Sequence, residues 1–210
     1  EDPVTGLIVF CTDCGVVGQP QFYSGSSWYN MLGQAAAAPL SVGLSAFGGK
    51  IAYILQPGDP GYDANVQHGI IAAVSDLPGE VAWGCNDKFL AGRSSIGAGS
   101  QNTIDISSGC SVAGNAATLC SNLNQGGYDD WYLPSKDELN KLFLQMKVIG
   151  GFREVCYWSS TETGSSTSIY QLFSDGSRAN RDKAEADSVR PVRAFAATLL
   201  ACADGGVCAV

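Results

Sequence analysis

The segment Gly126-Gly127-Tyr128-Asp129-Asp130-Trp131-Tyr132-Leu133-Pro134-Ser135-Lys136-Asp137-Glu138-Leu139 decides how the rest of the sequence is read. Its second half is a helix start. Ser135 stands where an N-cap belongs and Glu138 follows three residues later, the spacing of a capping box in which side chains and backbone N–H groups satisfy one another reciprocally. Leu139, Leu142, Phe143 and Met146 continue at helical spacing as one apolar stripe, and Gly150-Gly151 ends it. The first half is a bend. Asp129-Asp130 suits either the backbone donors of that bend or a calcium ion. Trp131, Leu133 and Pro134 are expected in the core.

Upstream of this segment, Ala116, Leu119, Cys120 and Leu123 fall at i, i+3, i+4 and i+7 and predict a second helix. Residues 86–113 are rich in Gly, Ser and Asn, lack periodicity and read as a long loop, which Cys85 and Cys110 bracket. Before it come three short apolar runs, 50–55, 69–74 and 81–85, of buried-strand type. Downstream, 157–161, 169–173 and 189–195 read as strands, and Asp175-Gly176 carries a hairpin-turn signal leading into the polar run RANRDK. Strands, two helices, then antiparallel strands make an α+β fold with the helices packed on antiparallel sheets. Three more strand-like runs (6–10, 21–23, 28–31) form a small β meander, too short to bury a core alone. The expected organisation is a meander at 1–34, an Ala/Pro-rich linker at 35–47, the main domain at 48–196 and a tail at 197–210.

Composition narrows the function classes. The 210 residues are 45% hydrophobic but only 15% charged, with 26 glycines, which implies many turns on a Ser/Thr/Asn-rich surface. A net charge of −8 disfavours nucleic acid, since phosphate binding needs a basic face. The single histidine, His68, excludes multi-histidine metal sites and His-rich catalytic networks. The longest apolar run, 194–203, is about half a bilayer span and is broken by Thr198. The chain opens Glu1-Asp2-Pro3 without a signal peptide, as a mature or trimmed product would. Eight cysteines (Cys11, Cys14, Cys85, Cys110, Cys120, Cys156, Cys202 and Cys208) form only one CxxC, so disulfides in an oxidising compartment fit better than zinc. The chain is therefore expected outside the cytoplasm, secreted or on the cell surface. Cys11 and Cys14 lack the strand-then-helix setting of a redox thiol and read as a structural clip.

Three motifs in order carry a family resemblance: the segment quoted above, Tyr157-Trp158-Ser159-Ser160-Thr161-Glu162, and Val189-Arg190-Pro191-Val192-Arg193-Ala194-Phe195. Over residues 48–196 the chain resembles the C-terminal domain family of the Legionella collagen-like adhesin. The resemblance implies a variant of the C-type-lectin-like fold, export to the bacterial surface, trimeric adhesion modules and a sulfated-polysaccharide ligand. Two departures stand out. The charge of −8 contrasts with the basic ridge of polysaccharide-binding members. The final strand carries Pro191 and lacks the cysteine that other members pair with the one on the first helix, so Cys120 pairs elsewhere, with Cys156, or stays a buried thiol.

Nine of the twelve Lys and Arg lie after residue 135. The expected ligand-binding set is Glu162, Asp175, Arg178, Asn180, Arg181 and Lys183, centred on the Asp-Gly hairpin. The alternative is a solvated hairpin neutralised by Asp182, Glu185 and Asp187. Arg190 and Arg193 point to opposite faces of a strand, and at least one is expected in a structural ion pair. No cofactor is required. Asp59, Asp63 and Asn65 offer oxygen ligands for calcium, without the spacing of an EF-hand or the triplets of calcium-dependent lectins. His68 has no motif for a Ser-His-Asp arrangement, and no paired cysteines match the formylglycine-generating enzymes that share the lectin-like fold. The expected function is a non-enzymatic adhesion module that binds glycan or another extracellular macromolecule, as a homo-oligomer or larger assembly. The alternative is a structural subunit of a surface filament or secreted multi-chain complex.

Overall fold

A computed structural model of the chain describes residues 40–64 and 66–198, and also the backbone of five short strands outside that range. The chain divides into two compact units, one formed by Glu1–Ser41, Asp63–Gln67 and Ala196–Val210, the other by Val42–Tyr62 and His68–Phe195.

In the first unit, β1 (Ile8–Phe10), β2 (Pro20–Tyr23) and β3 (Trp28–Asn30) pair antiparallel in sequential order. The strands β4 (Ser45–Ala46), β5 (Gly49–Ile54) and β6 (Val66–Ala72) run antiparallel, with a bulge between Ile51 and Tyr53; all but the first two residues of β6 belong to the second unit. The apolar stretches Ile51–Ala52 and Ile70–Ala73 are fully buried, as their unbroken hydrophobicity requires. The brief strand β7 (Val81–Ala82) precedes the helices.

Four helices are described where two were expected. The correction lies in residues 86–113, where α1 (Ala98–Gly109) replaces half of the predicted loop. Its buried face is Ala98, Gly99, Asn102, Thr103 and Ile106, where Ile106 is the one large apolar side chain and no leucine stripe forms. Tertiary hydrogen bonds hold it: Leu133 N–H donates to Thr103 Oγ1 at 2.9 Å, and Asn102 Nδ2 donates to the Arg93 carbonyl at 2.7 Å. Gly99 is needed at its place, because a Cβ there would lie 2.3 Å from Glu138 Oε2. The second helix, α2 (Ala116–Ser121), is capped by the Asn115 side chain, which accepts from Thr118 N–H. The capping box of α3 (Lys136–Leu144) forms as read, with Ser135 and Glu138 both engaged. Gln145 separates it from a single turn, α4 (Met146–Ile149).

After the helices, β8 (Cys156–Glu162), β9 (Thr167–Leu172) and β10 (Arg178–Asp182) form an antiparallel sheet in the order β10-β9-β8. A short strand β11 (Ala186–Asp187) pairs with β7, and β12 (Val192–Thr198) joins the sheet of order β12-β6-β5-β4. Two further short strands, β13 (Leu200–Ala201) and β14 (Val207–Cys208), pair antiparallel.

The second unit is α+β with mostly antiparallel sheets, and its core has two centres. One gathers Trp83, Trp158, Leu133, Ile106 and Val189; the other gathers Tyr157, Phe173, Leu139, Leu142 and Val192. Trp83 and Trp158 tie strands together with their ring nitrogens, Trp83 Nε1 donating to the Ser159 carbonyl and Trp158 Nε1 to the Val81 carbonyl, at 2.8 and 2.9 Å. Burying an indole without such an acceptor costs the desolvation of its N–H. Trp131, Leu133 and Pro134 are buried as the sequence implied, and so are Tyr157 and Trp158.

Candidate functional site

The Asp-Gly signal makes the hairpin between β9 and β10. Gly176 adopts φ 81°, and Ser177 N–H donates to Asp175 Oδ1 at 2.8 Å. That bond holds the Asp175 carboxyl below the usual aspartate range. Asp175 is thus a turn-forming residue at an exposed tip. On β10, the edge strand of its sheet, alternation sets Arg178, Asn180 and Asp182 on one face and Ala179 and Arg181 on the other. Arg178 and Asn180 are exposed. Arg178 Nη1 lies 3.8 Å from Asp137 Oδ1, and that carboxylate also accepts from Lys136 Nζ at 2.6 Å. The start of α3 therefore adjoins the edge strand. Asn140, on the next turn of α3, accepts from Gln171 Nε2 at 2.9 Å. Lys136, Asp137 and Asn140 were missed from the sequence because only the packing of α3 against β9 brings them to the hairpin.

Three other members of the expected ligand-binding set are engaged inside the fold. Lys183 and Glu162 have fully buried side chains and pair at 2.7 Å. The Lys183 ammonium also donates to the carbonyls of Lys88 and Ser165 and sits 4.5 Å from the centre of the Trp83 ring. Glu162 in turn accepts N–H bonds from Leu90 and Ala91. Both residues leave the ligand ridge as a correction: together they hold the loop at 88–91 against β8, and Lys183 also ties in Ser165 beyond that strand. Arg181 is half-buried, lies over the Tyr170 ring at 4.4 Å and bonds Asp187 Oδ1. Burial pushes the Asp187 carboxyl up to about 6 against the pull of Arg181.

Both arginines of the last motif are structural. Arg190 bonds Asp76 Oδ1 at 2.7 Å and the Gly151 carbonyl at 2.6 Å, with its guanidinium over Phe152. Arg193 makes a two-pronged pair with Asp130, at 2.5 and 2.8 Å, over the Tyr128 ring. The Arg193 hydrogen bond holds the Asp130 carboxyl below its usual range. Asp130 thus serves the bend through an arginine. Asp76, which also accepts from Tyr157 Oη at 2.7 Å, is a structural hub that no local sequence signal marked.

Cys85 and Cys110 form a disulfide across the segment they bracket. Cys120 and Cys156 are free, so the pairing of one with the other is not made. Cys120 follows the other course open to it, a thiol buried at the centre of the first core cluster, where desolvation raises its pKa beyond the ordinary range. Cys11, Cys14 and Cys202 lie outside the described residues, as does the side chain of Cys208.

The calcium candidates fare similarly. Asp59 Oδ2 accepts from Tyr53 Oη at 2.6 Å and from Gln56 N–H at 2.8 Å, a turn-closing role, and Asn65 lies outside the described residues. Among the described residues no group of three or more His, Cys, Asp or Glu is placed to hold a metal ion. Nor, among them, is any helix long and apolar enough to cross a membrane. The His68 side chain makes no hydrogen bond or ion pair to another described residue.

What these features define is a disulfide-bonded α+β domain in which a polar hairpin edge meets the start of a capped helix. Residues 72–193 match the Lcl C-terminal domain family, and the chain belongs to that adhesin-associated family. The match takes in all of the ordered motifs up to Arg193. No curated protein matches the chain.

Proposed function

We propose that the chain is a non-enzymatic module of an exported bacterial surface protein, a C-type-lectin-like domain that binds extracellular glycan along its hairpin edge. One observation carries this reading beyond family membership. Arg178 and Asn180 stand exposed on an edge strand, beside Lys136 and Asp137 of α3. A guanidinium, an amide, an ammonium and a carboxylate on one short surface supply the planar donors and acceptors that vicinal hydroxyls need. The other cations near the hairpin are held inside the fold, Lys183 by Glu162 and Arg181 by Asp187. This supports recognition by directed hydrogen bonds over bulk attraction to a dense polyanion, and so a neutral or sparsely charged glycan.

A glycan array probed with the full chain tests this. Saturable retention of at least one neutral or sparsely charged glycan is expected. Arg178→Ala and Asn180→Ala should each weaken it by about tenfold, the loss of one or two hydrogen bonds to the ligand. No retention at low salt, or retention untouched by both substitutions, overturns the reading.

A further inference from the structure

Away from the hairpin, the second unit holds a cavity of about 130 Å³ lined mainly by apolar side chains, among them Leu55, Ile70, Ile96 and Phe195. Its polar lining is Tyr132, Glu138 and the single histidine, His68. Glu138 is fully buried, and its carboxylate accepts from Ser135 N–H at 2.7 Å, Gly97 N–H at 2.9 Å and Tyr132 Oη at 3.1 Å. Those donors are neutral. The chain's other two buried carboxylates among the described residues each hold a cation, Glu162 with Lys183 and Asp187 with Arg181. Glu138 alone has none. Lys141, one turn further along α3, is not its partner, because its ammonium lies over the Tyr53 ring at 4.1 Å.

We propose that this cavity binds a primary ammonium group on a short aliphatic stem, with Glu138 as its counter-ion. A buried carboxylate without a cation is costly, and a cation delivered by a ligand offsets that cost where water cannot. Burial already pushes the Glu138 carboxyl above the usual glutamate range, the direction an arriving positive charge would reverse. The apolar walls select the stem. A cavity of roughly 150 Å³ accepts a benzene ring, so this one holds about five or six heavy atoms, the size of butylammonium. The His68 ring stands at the same wall, and an ammonium brings three donors to the polar groups there. The same chemistry arrives either as a free alkylamine or as the lysine side chain of a partner.

Titration of the full chain, followed by NMR or calorimetry, with n-butylammonium, n-butanol and butyrate at neutral pH tests the proposal. n-Butylammonium should bind saturably, about tenfold or more tighter than n-butanol, and butyrate should not bind. Glu138→Gln, which keeps an amide oxygen for the capping box, should abolish the preference for ammonium over alcohol. Ile96→Phe, which fills the cavity without touching the carboxylate, should abolish binding of both while the circular dichroism spectrum stays native. If Glu138→Gln fails to fold, Ile96→Phe still decides whether binding lies in this cavity. Equal affinity for alcohol and ammonium, no saturable binding of n-butylammonium, or binding unchanged in Ile96→Phe overturns the proposal. Nα-acetyl-lysine amide, titrated in parallel, separates the sources: binding there admits a partner's lysine, and its failure beside retained n-butylammonium restricts the site to free amines.

Discussion

Lys183 turns its ammonium inward, and that orientation decides what its removal would do. Glu162 would keep its two backbone donors and lose its cation, in a site from which water is excluded. Lys183→Met is expected to cost about 3–5 kcal/mol, the range for stranding one member of a buried pair. The double variant Lys183→Met/Glu162→Gln should cost clearly less than the sum of the single changes, because it strands no charge. Urea unfolding of the four proteins measures both. Additive costs would mean that the two side chains are not coupled, against the 2.7 Å contact between them. Arg178 is the contrasting case. It is exposed and 3.8 Å from its carboxylate, so its loss should leave stability nearly unchanged while ligand retention falls.

At the scale of elements, local rules were legible and tertiary ones were not. The Ser135/Glu138 box, the Asp175-Gly176 turn and the apolar strands at 50–54 and 69–72 could be read because their determinants lie within a few residues of one another. By contrast, α1 was invisible. Its helix is fixed from outside, by Thr103 against Leu133 and Asn102 against Arg93, and its sequence carries Gly99, Ser107 and Ser108 where a periodic stripe would be sought. The candidate site was half legible for the same reason. Alternation along β10 exposes Arg178 and Asn180, but Lys183 lies just past the strand and turns back to a carboxylate 21 residues earlier. The disulfide acts at this scale too. It closes the segment containing α1 with a separation of 25 residues, and in the chain-entropy account such a loop is worth about 3–4 kcal/mol. Cys85→Ala/Cys110→Ala should lower the urea midpoint accordingly, and hydrogen exchange should rise first within α1. An unchanged midpoint would mean that the core alone holds that segment.

For the whole molecule, charge is the property on which sequence and structure diverge most. The sequence suggested a cationic C-terminal hairpin region. In the structure, Arg181, Lys183, Arg190 and Arg193 each meet a carboxylate and an aromatic ring, so the charge of these four is neutralised within the fold, and of the hairpin cations only Arg178 stands exposed. The expected homo-oligomer is a proposal for this scale. Light scattering should report a multiple of 21.9 kDa for the oxidised chain at physiological salt, and a clean monomer there would sink it.

The inward pairing of those cations also sets the charge that one copy of the chain would present to another. Among the described residues nine acidic side chains are exposed against five basic ones, so the outer layer is anionic even where the interior is balanced. At low ionic strength two such surfaces behave as like-charged colloids and hold each other at a distance. Physiological salt shortens that repulsion to about 8 Å, a length comparable to a side chain. Crowding of the module is thus governed by the surrounding electrolyte: dilute media keep neighbours apart, and saline ones let them touch.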